Sequence, residues 1–176
     1  MKYFIPMIIL SFILLSCAKK EDEEKDSTTA LEGTWKTACH TDEDNDTLIL
    51  TPTFAGNVLT IKDEKHSDTS CATDYRLKEE THTFAVGDSG KFTITLSSTS
   101  TKTPQSASAV SDYNSDNECS ADDWELNTAK TCSEGGAGET VYCLYGLSGT
   151  TLYIECDGDA QPTSIPITAE NTFTKQ

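Results

Sequence analysis

Apolar residues in this chain alternate with polar ones, and that period of two is the tightest constraint on its fold. Phe92, Ile94 and Leu96 fall on one side of an extended segment, with Thr93 and Thr95 on the other. Leu59 and Ile61 alternate with Thr60 and Lys62. Leu152, Ile154 and Cys156 alternate with Tyr153 and Glu155, and Phe84 and Val86 repeat the pattern briefly. Successive side chains of a strand point to opposite faces, so the pattern describes strands with one buried face. No window shows the three-to-four-residue recurrence of a long helix. Turn-forming clusters separate the runs at Gly87-Asp88-Ser89-Gly90, Gly135-Gly136-Ala137-Gly138, Leu147-Ser148-Gly149-Thr150 and Asp157-Gly158-Asp159. The pattern predicts strands over 33–40, 47–54, 57–64, 73–86, 91–101, 139–146, 150–156 and 164–174, with a short helix or turn near 121–127.

The segment 102–138 is poor in apolar residues, with Val110, Tyr113, Trp124 and Leu126 as its sizeable anchors. A loop of that length needs a staple. Cysteines supply one. Beyond Cys17 the chain holds Cys39, Cys71, Cys119, Cys132, Cys143 and Cys156. An even number in an exported chain points to disulfides. A zinc site would need C-x-x-C pairs or spaced histidines, and His40, His66 and His82 stand apart. Several pairings are open; neighbours in sequence are expected to join, giving Cys39–Cys71, Cys119–Cys132 and Cys143–Cys156.

Export is read from the first residues. Lys2 precedes an apolar run, Phe4 to Leu15, broken only by Pro6 and Ser11. At about 12 residues it is shorter than the roughly 20 needed to span a hydrocarbon core, as a secretory signal should be. The run ends in Leu14-Leu15-Ser16-Cys17, which resembles the lipobox of bacterial lipoprotein precursors. The resemblance implies a signal peptide at 1–16, cleavage before Cys17, and thioether lipid on Cys17 beside acyl chains such as palmitate. One acyl chain anchors only marginally, and lipoproteins of this kind carry two or three. Ala18, where such proteins often carry an inner-membrane retention aspartate, favours the outer membrane, facing the periplasm or the cell surface. Residues 17–30 read as an acidic tether, because Lys19 to Asp26 contains no apolar residue. The domain is expected to occupy 31–176.

Charge narrows the partners. The net charge is −16, and losing Lys2 with the signal makes it one unit more negative. Such a surface repels nucleic acid and anionic headgroups. Arg76 is the only arginine, which excludes an arginine clamp on phosphate.

Leu31-Glu32-Gly33-Thr34-Trp35 resembles the G-x-W opening of lipocalin-like, or calycin, barrels. The closing run, from Thr150-Thr151-Leu152-Tyr153-Ile154 through Pro162-Thr163 to Asn171-Thr172-Phe173-Thr174-Lys175, is similar to the last strands of small exported members. The resemblance implies an all-β, eight-stranded antiparallel barrel, with Trp35 on the first strand closing one end and 102–138 as a disulfide-stapled loop. Thr73-Asp74-Tyr75 repeats the letters of the family's second motif too early in the chain, and the late arginine that packs across the tryptophan is missing. Eight strands leave an interior that is filled or holds one small ligand. Trp35, Leu59, Ile61, Phe84, Phe92, Ile94, Leu152 and Ile154 should face that interior.

No nucleophile motif stands out, so a non-enzymatic role is expected. Asp42-Glu43-Asp44-Asn45-Asp46 has the alternate aspartates of a calcium loop but carries Thr47 and Thr53 where glycine and glutamate belong, and reads as a solvated turn. No metal or cofactor is expected. Tyr142 and Tyr145, with Trp35, are the candidate walls of a cup for a small apolar ligand. The rival reading is a filled, disulfide-pinned barrel that meets a basic protein through acidic loops.

Overall fold

The computed structural model describes residues 29–176. Cys17 and all but the end of the expected tether lie outside them. Eight strands close a ring in which each pairs antiparallel with the next: β1 (Gly33–Thr37), β3 (Thr47–Ala55), β4 (Val58–His66), β5 (Asp74–Val86), β6 (Lys91–Thr95), β9 (Thr140–Ser148), β10 (Thr151–Asp157) and β11 (Thr172–Lys175), which returns to β1. This is the closed, eight-stranded all-β barrel that the resemblance implied, built from the strands expected from the alternation. Closure leaves these eight strands without a free edge. β2 (His40–Thr41) is a two-residue addition to β3.

Register settles which faces look inward. Phe54 pairs with Leu59, Leu59 with His82, Phe84 with Ile94, Phe92 with Cys143, and Leu152 with Phe173. Leu31, Trp35, Phe54, Leu59, Phe84, Phe92, Ile94, Cys143, Leu152 and Phe173 form one buried core, with Ile61 and Ile154 packed against it. Of the eight residues expected to face the interior, six belong to it and the other two, Ile61 and Ile154, pack against it. Phe54 meets Phe84 and Phe92 edge-on, at 5.1 and 6.1 Å between ring centres.

Trp35, on the first strand, is part of this core. It is 1 % exposed, and its Nε1 donates to the Leu31 carbonyl at 2.7 Å. The Lys175 ammonium lies 5.2 Å from the centre of its ring.

The strand expected at 91–101 is broken. β6 ends at Thr95, and β7 (Thr99–Pro104) resumes beyond three residues. The break has a cause: the Ser97 amide leaves the ladder and donates to Nδ1 of buried His82, at 3.2 Å. Burial lowers the pKa of His82, which keeps its ring neutral and Nδ1 an acceptor. Below the break the sheet closes the barrel. Beyond it, the first half of β5 pairs instead with β7, and β7 with β8 (Lys130–Ser133), forming a flap.

The long loop carries more structure than expected. It contains helix α1 (Ala107–Ser115), a 3-10 turn at Glu118–Ser120, and β8. Residues 121–127, read as a short helix or turn, contain a turn at 126–127, closed by the Thr128 amide donating to the Glu125 carbonyl at 3.1 Å, and no helix. Ser106 starts α1 by accepting from the Ala109 amide at 3.1 Å, and Ala109 and Tyr113, four apart, are its buried residues. One such pair is too short a run for helical periodicity to show. Likewise 164–174 shrinks to β11, because Pro162 and Pro166 interrupt the ladder upstream.

Three disulfides join Cys39 to Cys71, Cys119 to Cys132, and Cys143 to Cys156, the sequence-neighbour pairing. The first ties the corner after β1 to the β4–β5 loop. The second staples the cap formed by α1 and the loop to β8. The third joins directly opposed residues of β9 and β10.

Candidate binding cavity

The barrel core is not completely filled. A partly open cavity of about 140 Å³ is lined by Leu50, Pro52 and Phe54 of β3, Leu59 and Ile61 of β4, Phe92 and Ile94 of β6, Ile154 and Cys156 of β10, and Phe173 of β11. Its exposed lining is entirely apolar. The alternation creates it: every lining residue belongs to the inward set of its strand, while the neighbouring threonines face out.

The three residues singled out as cup walls are placed apart. Trp35 is buried in the same core and does not line the cavity. Tyr145 faces inward and meets the Phe92 ring edge-on at 6.0 Å, packed in the core beside the cavity. Tyr142 points outward, opposite Thr93, and borders a shallow groove on the outer wall with Val86 and Gln161. Leu59, Ile61, Phe92, Ile94 and Ile154, expected to face the interior, do line the cavity; Leu50, Pro52, Phe54 and Phe173 join them only through the register of several strands. Only Cys156 is distinguishable by chemistry, and as a bridge.

One wall of the interior changes character along its length. On β4 the inward series runs Leu59, Ile61, Asp63, Lys65; on the paired β5 it runs Phe84, His82, Glu80, Lys78, Arg76. The apolar half belongs to the closed barrel and the charged half to the flap. There the Arg76 Nη1 donates to Asp63 Oδ2 at 3.0 Å, Lys65 pairs with Asp46 at 2.6 Å, and Lys78 with Glu80 at 3.0 Å. Glu134 collects the Ser100 hydroxyl, Lys78 and Lys102, while Lys102 reaches Glu118 at 2.6 Å. The Ser100 hydrogen bond, with the two lysine charges, outweighs burial and holds the Glu134 carboxyl below its usual range.

The cap covers the flap on this charged side. Tyr113 and Trp124 meet edge-on at 4.8 Å between ring centres, packed with Cys132. Asn114 brackets the Trp124 backbone, accepting from its amide at 2.7 Å and donating to its carbonyl at 3.2 Å. Trp124 Nε1 donates to the Glu118 carbonyl at 3.1 Å.

The acidic runs use their oxygens internally. Asp42 Oδ1 accepts from the amides of Asp44 and Asp46, Asp157 Oδ1 from that of Asp159, and Asp112 Oδ2 from the Tyr75 hydroxyl. Among the described residues no group of three or more histidine, cysteine or carboxylate side chains is gathered to hold a metal ion. No helix among them is long and apolar enough to cross a membrane.

No protein-family profile matches the chain, and no curated protein is significantly similar to it.

Proposed function

We propose that this chain is a binding module for a small apolar molecule, carried by a lipid-anchored protein of the bacterial envelope with a lipocalin-like barrel. The apolar cavity of about 140 Å³ inside the barrel carries the reading. An apolar cavity of about 150 Å³ stays dry and admits benzene or xenon, whereas drug-sized ligands occupy roughly 300–1,000 Å³. The occupant is therefore the size of a single ring or a short branched chain. Burial of its surface supplies the affinity, at about 25 cal/mol per Å². The role is binding, without chemistry on the ligand.

Benzene titrated into the full chain should shift the methyl resonances of Ile61 and Ile94 saturably. Replacing Ile61 with phenylalanine puts a larger side chain into the cavity and should weaken that binding by at least about tenfold. Cavity methyls that stay unmoved at saturating benzene reject the reading and favour a filled barrel acting through its acidic surface on a basic partner.

Anchoring is proposed from Leu14-Leu15-Ser16-Cys17 and the charged tether after it. An outer-membrane location, facing periplasm or cell surface, follows from Ala18. Cells expressing the chain should incorporate labelled palmitate into it, and Cys17→Ala should abolish the label. Equal labelling of both chains would remove the anchor from this account.

A further inference from the structure

β5 changes partner at His82. Its second half pairs with β6, ending at Thr83 opposite Thr95, and its first half pairs with β7, ending at Glu80 opposite Ser100. Leu96-Ser97-Ser98 forms the corner between β6 and β7. Two of its residues bond away from β5. The Leu96 amide donates to the Glu139 carbonyl at 2.9 Å, and the Ser98 carbonyl accepts from the Glu134 amide at 2.7 Å. The Ser97 amide instead donates to His82 Nδ1 at 3.2 Å. Across this gap, among the described residues, that bond is what ties the corner to β5. His82 is 6 % exposed, and Leu59 of the cavity lining stands opposite it on β4.

Only a neutral ring can hold the bond. Nδ1 must be bare to accept, whereas a protonated imidazole carries a hydrogen on both nitrogens. Protonation would set two N–H groups against each other and put a charge in a buried position. Burial lowers the pKa of His82, with Glu80 opposing the shift and Lys78 adding to it. Charged groups reach this corner from several elements. Glu80 and Lys78 share the inward face of β5 with His82, and Asp63 lies beyond Leu59 and Ile61 on β4. The charge on β6 is Lys91, at its far end. On β7, the hydroxyl of Ser100 bonds Glu134, which also meets Lys78 and Lys102. Glu139 meets the corner through its carbonyl. Glu80, Glu134 and Asp63 are thus engaged by lysines and Arg76.

We propose that His82 is a proton-operated latch: its neutral ring pins the β6–β7 corner to β5, and protonation frees the corner and parts the barrel wall from the flap. The sign follows from linkage. The contribution of His82 to stability is complete above the ordinary pKa of 6.5 and is lost as the pH falls through the lower value of the folded state. The latch therefore opens in mild acid, and it operates whether or not the cavity holds a ligand.

NMR of the full chain, taken from about pH 7.5 to about pH 4.5, follows the His82 ring and the exchange protection of the Ser97 amide together. Ser97 protection, corrected for the intrinsic pH dependence of exchange, should fall at least about tenfold as the ring titrates, while β10 amides keep theirs. His82→Asn keeps an acceptor oxygen at the place of Nδ1 and takes up no proton, so its Ser97 protection should stay within about twofold over the same range. His40, His66 and every carboxylate remain in that variant, which isolates the effect of His82. The parent's titration decides alone if the variant does not fold. A ring that titrates while Ser97 stays protected overturns the latch, and so does an equal loss of protection in His82→Asn. A ring that stays neutral until the β10 amides also lose protection overturns it as well.

Discussion

Replacing Trp35 with alanine should destabilise the domain by about 3–5 kcal/mol, the range for deleting a large buried aromatic residue. Three losses coincide at this position. The ring is among the largest fully buried side chains and belongs to the barrel core with Leu31 and Phe54. Its Nε1 is the donor to the Leu31 carbonyl, so truncation leaves a buried acceptor unpaired. Its face also carries Lys175, whose stacking contributes a further fraction of a kcal/mol at an exposed edge. Trp35→Phe separates these terms. It keeps most of the ring and loses the donor, so its cost should be about 1–3 kcal/mol. The denaturant midpoints of the two variants measure the difference. An alanine variant within about 1 kcal/mol of the parent would mean that the core is not held by Trp35.

Removing the Cys119–Cys132 bridge, by serine at both positions, should release the cap while the barrel stays folded. The bridge closes a loop of sequence separation 13, worth about 3 kcal/mol. The small cap core, Tyr113, Trp124 and Cys132 with Cys119 and Ala121, has little to set against that loss. The backbone also works against it. Asn117, Cys119 and Ser120 all have positive φ, near 54–60°, which costs non-glycine residues energy and persists only under constraint. Local unfolding of such a unit costs less than global unfolding. The two tryptophans report the outcome separately, because Trp124 lies in the cap and Trp35 in the barrel core. Trp124 emission should shift to the red, and amides of α1 should lose exchange protection, while barrel amides keep theirs. Loss of protection throughout would show that cap and barrel fold as one unit.

Cys143–Cys156 behaves differently. That bridge has the same sequence separation, but its residues are already opposed within a ladder pairing seven residues of β9 with seven of β10. The ladder and the buried core around Cys143 hold the hairpin without it. Position in the fold, rather than loop length alone, decides which disulfide governs a folding unit.

Residues with a local signature are legible in the chain itself. Phe92-Thr93-Ile94 and Leu152-Tyr153-Ile154 announce strands and their inner faces by alternation alone. Gly33-Thr34-Trp35 marks the first strand and its buried tryptophan. The six cysteines pair as neighbours in sequence. Less legible are features that depend on two distant segments. Helix α1 shows one buried pair, Ala109 and Tyr113, too little for periodicity to reveal. The break at Leu96–Ser98 depends on His82, which reaches across from another strand. The expected wall residues Tyr142 and Tyr145 differ in parity on β9, so one faces the groove outside and the other the core.

Side-chain spacing along single segments dictates that this chain builds strands, which of their faces are buried, and where turns separate them. A strand's period of two is local, so these properties need no knowledge of neighbours. Assembly of distant segments is what closes the ring with β11 on β1 and leaves a small apolar cavity inside. Each of these depends on register between segments far apart in the chain, and a shift of one residue would turn every inward side chain to the outside.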